Sequence, residues 1–338
     1  MNCQVEPMTK LVSQDQDLLN AVKLATDELG INLGEAAMKA GLPPDLLGNA
    51  ELFIPSQLFN CVLEAIAQDF RSPDLAVVIA RHLASPSLGL PTRIMGLSRN
   101  LADALDISTQ YGAFYRDTGH WQHQIGQQQL VLFKRNNNYQ KHFQQRNLLG
   151  TAQMHCLLGQ WLGCEYAPNK ISLGISNPHP KAEEALQDFF ACELEYEAER
   201  DAFYLPEDSL QQAISTSNGE LLQGVIAHVH GLQEEITKGS DVVAQTRLVI
   251  NQRLSFASCT LDDLAFYLKT TPEVLTRALA QHKLSFEEIL EQQIAEKAHY
   301  YLTDLHAPIE LIVEALMSNN PQRLNELLMA SLDEQRQW

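Results

Sequence analysis

The sequence lacks the segments that would anchor or export a protein. Its densest apolar run, Leu75 to Ala80, is far shorter than the roughly 20 apolar residues that span a bilayer. The N-terminus has no positively charged segment followed by an apolar stretch, which is the pattern of a secretory signal. We therefore expect a cytoplasmic protein that makes no contact with a membrane.

Cysteine and histidine are too scattered to predict a metal centre. The six cysteines include no CxxC pair, so reduced and buried thiols are expected. His120 and His123 would point to opposite faces of a predicted strand, and His228 and His230 to different sides of a predicted helix. The sequence therefore predicts no metal site.

Catalytic motifs are absent as well. The chain contains no glycine-rich phosphate loop, no Gly-x-Ser-x-Gly nucleophile elbow and no His-Glu-x-x-His zinc motif. Each of these motifs brings a nucleophile, a metal or a phosphate to a defined place in a fold. Without them, the sequence predicts neither an enzyme nor a bound cofactor.

Positive charge is scarce, most of all towards the C-terminus. The chain has 24 Lys and Arg against 42 Asp and Glu, which gives a net charge of −18. Residues 260–338 hold six Lys and Arg against thirteen Asp and Glu. Because a protein that binds duplex DNA gains most of its affinity by neutralising phosphates, this balance disfavours non-specific attraction to nucleic acid.

Negative charge is missing from one stretch, between Thr118 and Cys164. The positive residues of this stretch, which we call the basic island, are Lys134, Arg135, Lys141 and Arg146. Two interpretations stay open. The island is either a solvated hairpin with the start of a helix, or a docking point for an anionic ligand or an acidic partner surface.

The pattern of apolar residues predicts a mixed domain at the front of the chain. Apolar residues at helical spacing run through residues 11–116, so helices come first. Alternating residues then predict a hairpin from Trp121 to Ile125 and from Gln129 to Phe133. A long helix from Leu148 to Leu162 and further short strands follow. This order predicts an α+β domain with a mainly antiparallel sheet.

Two similar helical units are predicted in the C-terminal part. In the first unit, Thr260 and Asp263 form a variant of the capping box, and the small Ala265 lets two helices cross closely around a tight turn. The second unit runs from Pro308 to Leu328. One long helix, from about Phe286 to Leu302, is expected to join the two units.

This order of elements resembles the AraC/XylS family of bacterial transcription regulators, whose DNA domain consists of two helix-turn-helix units joined by one long helix. The front of the chain resembles the arabinose-binding-type N-terminal sensor domain of that family. The stretches that carry this second resemblance are Ala40 to Leu47, Ile54 to Leu58, Pro73 to Leu75, Leu88 to Leu90, Ser98 to Leu105, Phe189 to Cys192 and Tyr204 to Pro206. Their order and spacing along the chain are fairly specific.

The resemblance implies three parts. Residues 1–215 would form an α+β ligand-sensing and association domain, residues 216–240 a linker helix, and residues 241–338 an all-α domain of two helix-turn-helix units. It also implies a homodimeric regulator that binds double-stranded DNA and responds to a small-molecule effector by a population shift. The residues expected to contact DNA are Thr271, Thr276, Arg277, Gln281, Lys283, Gln322, Arg323 and Asn325.

The acidic C-terminal part keeps a second function open. On the first predicted recognition helix Arg277 is the one strong cation, beside Glu273, Val274 and Ala278. A protein derived from such a regulator could act through protein–protein contact and no longer read DNA. A positive surface along the recognition helices would favour DNA binding, and a negative one would favour the alternative.

Aromatic residues of the front part offer a candidate apolar pocket for the effector. These residues are Tyr111, Phe114, Trp121 and Trp161. Packing in the core explains the same residues equally well, so the sequence does not identify the effector.

Overall fold

The computed structural model describes residues 16–44, 56–83, 90–110, 121–126, 129–134, 143–163, 166–227, 241–254, 259–268, 270–303 and 305–316. Helices come first, as predicted: α1 (Gln16–Glu28), α2 (Leu33–Lys39), α3 (Ser56–Asp69), α4 (Leu75–His82), α5 (Leu90–Met95) and α6 (Leu101–Gln110). The helix α1 is followed by Gly30 at φ +68°. There the Ile31 amide donates to the Thr26 carbonyl and closes the helix end.

Within the described residues the sheet has five strands: β1 (Trp121–Gly126), β2 (Gln129–Lys134), β3 (Lys170–Ser172), β4 (Glu193–Glu195) and β5 (Ala202–Pro206). Their spatial order is β1-β2-β5-β3-β4. Only β3 and β4 run parallel, and the other neighbouring strands are antiparallel. The predicted hairpin is confirmed, because β1 pairs with β2 from Trp121 opposite Lys134 to Gly126 opposite Gln129.

The helix α7 (Gln144–Leu162) lies at the centre of the larger part of the protein. It is buried on nearly every side and packs against α3 and α4. The Gln145 side chain joins these helices, since its Nε2 donates to the Pro73 carbonyl at 2.9 Å and its Oε1 accepts from the Ala76 amide at 3.1 Å. A buried carboxylate without a partner is costly, so the burial of α7 explains why this helix contains no Asp or Glu.

The remaining elements are mostly helical. They are α8 (Pro180–Phe190), a 3₁₀ helix (Glu207–Gln211), α9 (described at residues 219–227), α10 (Val242–Leu254), α11 (Leu261–Tyr267), α12 (Pro272–Gln281), α13 (Phe286–Thr303) and α14 (Ile309–Ala315). The long helix predicted from about Phe286 to Leu302 is present as α13. No helix in the described ranges is long and apolar enough to cross a membrane.

The described part of the chain has two hydrophobic cores. The larger core takes in α1 to α8 and the sheet, and it also includes Tyr301 at the end of α13 and Ile312 of α14. The smaller core is built by α10, α11, α12 and the first half of α13. Ile294, in the middle of α13, packs against both cores. An α+β part followed by a helical part is therefore confirmed.

Candidate nucleic-acid interface

The smaller core begins with two capped helices. Asp241 caps α10, because its carboxylate accepts the Ala244 amide at 2.8 Å. Thr260 and Asp263 cap α11 reciprocally: the Thr260 amide donates to Asp263 Oδ2 at 3.1 Å, and the Asp263 amide donates to Thr260 Oγ1 at 3.1 Å. The capping box predicted from the sequence is thus confirmed, and it sets where α11 starts.

A short turn leads from α11 to α12. The Thr270 amide donates to the Ala265 carbonyl at 2.9 Å as the chain leaves α11. Thr271 then caps α12 by accepting the Val274 amide at 3.4 Å, and Pro272 occupies the first helical position. Leu275 anchors α12 in the smaller core, so the opposite face of this helix is left towards solvent.

Every predicted DNA-contact residue within the described ranges is exposed. These residues are Thr271, Thr276, Arg277, Gln281 and Lys283. The other three, Gln322, Arg323 and Asn325, lie outside the described residues. The structure therefore gathers the described candidates on a single helix, α12, and at its two ends.

Arg277 and Glu273 share one face of α12, four residues apart. Although this spacing suits an ion pair, Arg277 forms no salt bridge to any described residue. Glu273 interacts instead with Thr271, whose side-chain hydrogen bond lowers the pKa of the Glu273 carboxyl. The exposed face of α12 thus presents one guanidinium and, a turn earlier, one ionised carboxylate.

Lys283 follows the end of α12 in a left-handed conformation, at φ +58°. Its amide donates to the Ala280 carbonyl at 3.0 Å, and the Leu284 amide donates to the Leu279 carbonyl at 3.3 Å. This is the helix ending that glycine adopts most readily. A lysine here costs conformational energy, and its side chain is exposed just after α12.

Polar side chains join α10 to α13, and sequence reasoning missed them. Arg247 Nη2 donates to Gln292 Oε1 at 3.0 Å, and the Asn251 side chain donates to Gln293. Lys297 Nζ donates to the Asn251 carbonyl at 2.9 Å, while burial lowers the pKa of Lys297 to about 8. The sequence signal for this seam was a polar stripe along α13, which would ordinarily predict a solvated face.

The basic island is not an exposed surface at its two described members. Lys134 is 1% exposed and Arg146 is 5% exposed. Lys134 points inward because it shares the alternation of Leu130 and Leu132 on β2, which are both buried. The interpretation as a surface docking point is therefore wrong for Lys134 and Arg146, while Arg135 and Lys141 lie outside the described residues.

Two members of the candidate apolar pocket are described, and both are buried. Trp121 packs on Phe203 with ring centroids 5.4 Å apart, and its carbonyl accepts the Ser108 hydroxyl at 3.0 Å. Trp161 lies against Gly96, where an added Cβ would be 2.9 Å from the Trp161 ring nitrogen. The two tryptophans share the larger core, whereas Tyr111 and Phe114 lie outside the described residues.

His155 belongs to an aromatic cluster at the edge of the larger core. Its Nδ1 is 2.8 Å from the Tyr166 hydroxyl, and its ring lies 5.0 to 5.3 Å from the rings of Tyr166, Phe189 and Phe190. Burial lowers the pKa of His155 to about 4, so the imidazole is neutral near pH 7. Within the described ranges, no three His, Cys, Asp or Glu side chains are grouped to hold a metal.

Comparison with known proteins identifies the front part of this architecture. Residues 30–214 match the family model of the arabinose-binding domain of AraC transcription regulators, N-terminal. The chain belongs to this family. The match spans the helices α2 to α8 and the five strands of the sheet, so the resemblance to the arabinose-binding-type sensor domain is confirmed.

The chain was also compared with curated proteins and with solved structures. No curated protein matches the chain. Among solved structures, the chain is similar to the crystal structure of the transcriptional regulator CdpR from Pseudomonas aeruginosa, at 16% sequence identity and a TM-score of 0.43. That similarity covers 93% of this chain and 94% of the other. It is too distant to support an argument about function.

Charge differs between the two halves of the helical part that follows the arabinose-binding domain. Residues 242–294, which build the smaller core, contain five Lys and Arg against six Asp and Glu. Residues 295–338 contain three Lys and Arg against seven Asp and Glu. The acidity that set the C-terminal part apart is therefore concentrated after the smaller core, and the segment that carries α12 is nearly neutral.

Proposed function

We propose that this chain is a transcription regulator that binds double-stranded DNA mainly through α12 and responds to a small-molecule effector. One observation carries the proposal. Leu275 and Leu279 fix α12 in a compact core, while Arg277, Gln281 and Lys283 stand exposed on or beside it. A helix held in this way can enter the major groove, where arginine and glutamine recognise base edges.

The helices around α12 support a helix-turn-helix arrangement. Only four residues separate α11 from α12, and the small Ala265 is buried where the two helices meet. Because residues 242–294 are nearly neutral, this segment repels DNA phosphates much less than the net charge of the whole C-terminal part suggests. The effector would bind within residues 30–214, and a homodimer would present two copies of α12 to two half-sites.

Selection of duplex DNA from a randomised library tests this proposal. Bound duplexes are enriched with the full chain, and the affinity of the winning sequence is measured by fluorescence anisotropy. Arg277→Ala should weaken binding about tenfold or more, because Arg277 is the one cation in the sequence of α12 and a lysine ammonium such as that of Lys283 cannot pair two acceptors as a guanidinium does. Glu273→Gln is the matched control: it changes charge one turn away on the same face and should strengthen binding by removing repulsion from phosphates.

Two outcomes would contradict DNA binding by α12. If no duplex is enriched, or if Arg277→Ala and wild type bind the winning duplex equally, α12 does not read DNA. One observation would then favour a second function, contact with another protein. Val274 is 54% exposed on α12. An exposed apolar side chain next to a cation can contact the surface of another protein as well as it can contact a DNA base. A Val274→Asp variant should abolish that contact.

A further inference from the structure

The helix α14 packs against the arabinose-binding domain rather than against the smaller core. Ile312 of α14 is fully buried, and Leu305 and Ala307 in the preceding turn are almost fully buried. All three belong to the larger core, and α14 lies against α3. The helix that opens the predicted second unit therefore contributes to the interior of the sensing domain.

The backbone just after α2, at Gly41, comes very close to Pro308, which precedes α14. At the end of α2, the Gly41 amide donates to Met38 at 2.9 Å and the Leu42 amide donates to Ala37 at 2.8 Å. Gly41 adopts φ +78°, and a Cβ added there would lie 2.8 Å from Cγ of Pro308. The proline ring thus occupies the space that any side chain at position 41 would need.

The two cores meet through α13. Its first half, with Phe286 and Ile289, belongs to the smaller core, and its second half, with Ala298 and Tyr301, belongs to the larger core. A rigid helix shared by two cores transmits displacement from one to the other, because packed interiors switch between arrangements instead of deforming smoothly.

The packing of α14 on α3, together with that of Pro308 against Gly41, is called the α14 contact below. We infer that the α14 contact is a regulatory coupling between the sensing domain and the helical part. A change in the sensing domain that moves Gly41 displaces Pro308 and α14. Because only five residues join α13 to α14, the displacement reaches α13, and through α13 the smaller core and the placement of α12. The inference concerns coupling within the chain, and it does not require that α12 bind DNA.

The chain offers a matched pair of glycines to test the contact. Gly30 and Gly41 both have positive φ, but an added Cβ at Gly30 meets nothing within 4 Å. Both Gly→Ala variants therefore carry the same kind of backbone strain, and only Gly41→Ala presses on Pro308. Hydrogen exchange of backbone amides, read by mass spectrometry on the full chain, reports local opening of each helix.

Gly41→Ala should accelerate exchange of the α14 amides by about tenfold or more relative to wild type. Gly30→Ala should leave α14 unchanged. In the Pro308→Ala background, Gly41→Ala should no longer accelerate exchange in α14, because the ring carbon that the methyl group would strike is gone. Equal exchange of α14 in the Gly30→Ala and Gly41→Ala proteins, or no relief by Pro308→Ala, would overturn the inference.

A milder variant covers the case in which Gly41→Ala does not fold. Ile312→Val removes one methyl group from α14 at the larger core, and Leu279→Val shortens an α12 side chain by one carbon at the smaller core. Ile312→Val should accelerate exchange in α3, and Leu279→Val should not. If α3 responds to neither variant, α14 is not coupled to the sensing domain and the inference fails.

Discussion

Lys134 Nζ lies 3.7 Å from Asp201 Oδ2, and both side chains are buried. The Asp201 carboxylate also accepts the Thr151 hydroxyl at 3.0 Å and the Gly174 amide at 2.7 Å. This cluster ties β2 and α7 to the chain around β3 and β5. A buried charge pair of this kind tolerates the loss of neither partner, because the remaining charge then has no compensation.

Lys134→Met should destabilise the protein by about 3 kcal/mol, since it leaves the Asp201 carboxylate buried without its cation. Lys170→Met is the control. Lys170 pairs with Glu195 at 2.8 Å, but the two side chains are 30% and 49% exposed, so its loss should cost less than about 1 kcal/mol. Urea denaturation followed by tryptophan fluorescence measures both, and equal losses would contradict a structural role for the buried pair.

The pH dependence of stability should carry a contribution from Lys297, whose pKa burial lowers to about 8. A lysine in the unfolded chain has a pKa near 10.4. Between these two values the unfolded chain holds a proton that the folded chain has lost, so stability rises with pH across this window. Below about pH 8 both states are protonated, and the full cost of burying the charge is present.

Lys297→Met should therefore be more stable than wild type at pH 7, by up to about 3 kcal/mol. The difference should shrink as pH rises from about 8 towards 10. Lys23→Met, at an exposed position of α1, is the control and should track wild type at every pH. A stability difference between Lys297→Met and wild type that stays constant over this range would show that the lost bond to the Asn251 carbonyl, and not titration, dominates.

Local signals in the sequence predicted much of the fold. Alternation fixed the hairpin β1–β2, and the Thr260–Asp263 capping box marked the start of α11. Signals of this kind depend on neighbouring residues only. The alternation also placed Lys134 on the inner face of β2 beside Leu132, but a count of charges along the chain, which ignores direction, predicted an exposed island instead.

The relationships that sequence reasoning missed depend on which faces meet in three dimensions. The sequence predicts a second helical unit from Pro308 to Leu328, and it does not reveal that α14 of this unit packs on α3 of the arabinose-binding domain. Any apolar stripe specifies that it is buried and does not specify its partner. The close approach of Gly41 to Pro308 could not be predicted from the sequence, because the two residues lie far apart along the chain.

Lys283→Gly should change stability and DNA affinity in opposite directions. Glycine removes the cost of the left-handed conformation at φ +58°, so unfolding should require up to about 1 kcal/mol more. The same change removes an exposed cation beside α12 and should weaken binding of duplex DNA. Lys283→Ala is the control, because it loses the same charge but keeps the strain. Equal stability of the Gly and Ala variants would argue against strain at this position.

The salt dependence of DNA binding should be shallow. The exposed cations on and beside α12 in the described part are Arg277 and Lys283, so on the order of two to four counterions should be released per protomer. Arg277→Ala should reduce the slope of log Kd against log salt concentration by about one. Arg99→Ala, which removes an arginine whose side chain is 80% exposed in the arabinose-binding domain, should leave the slope unchanged. A slope near eight in wild type, unaffected by Arg277→Ala, would place the DNA-binding surface elsewhere, because two cations on one helix cannot release that many ions.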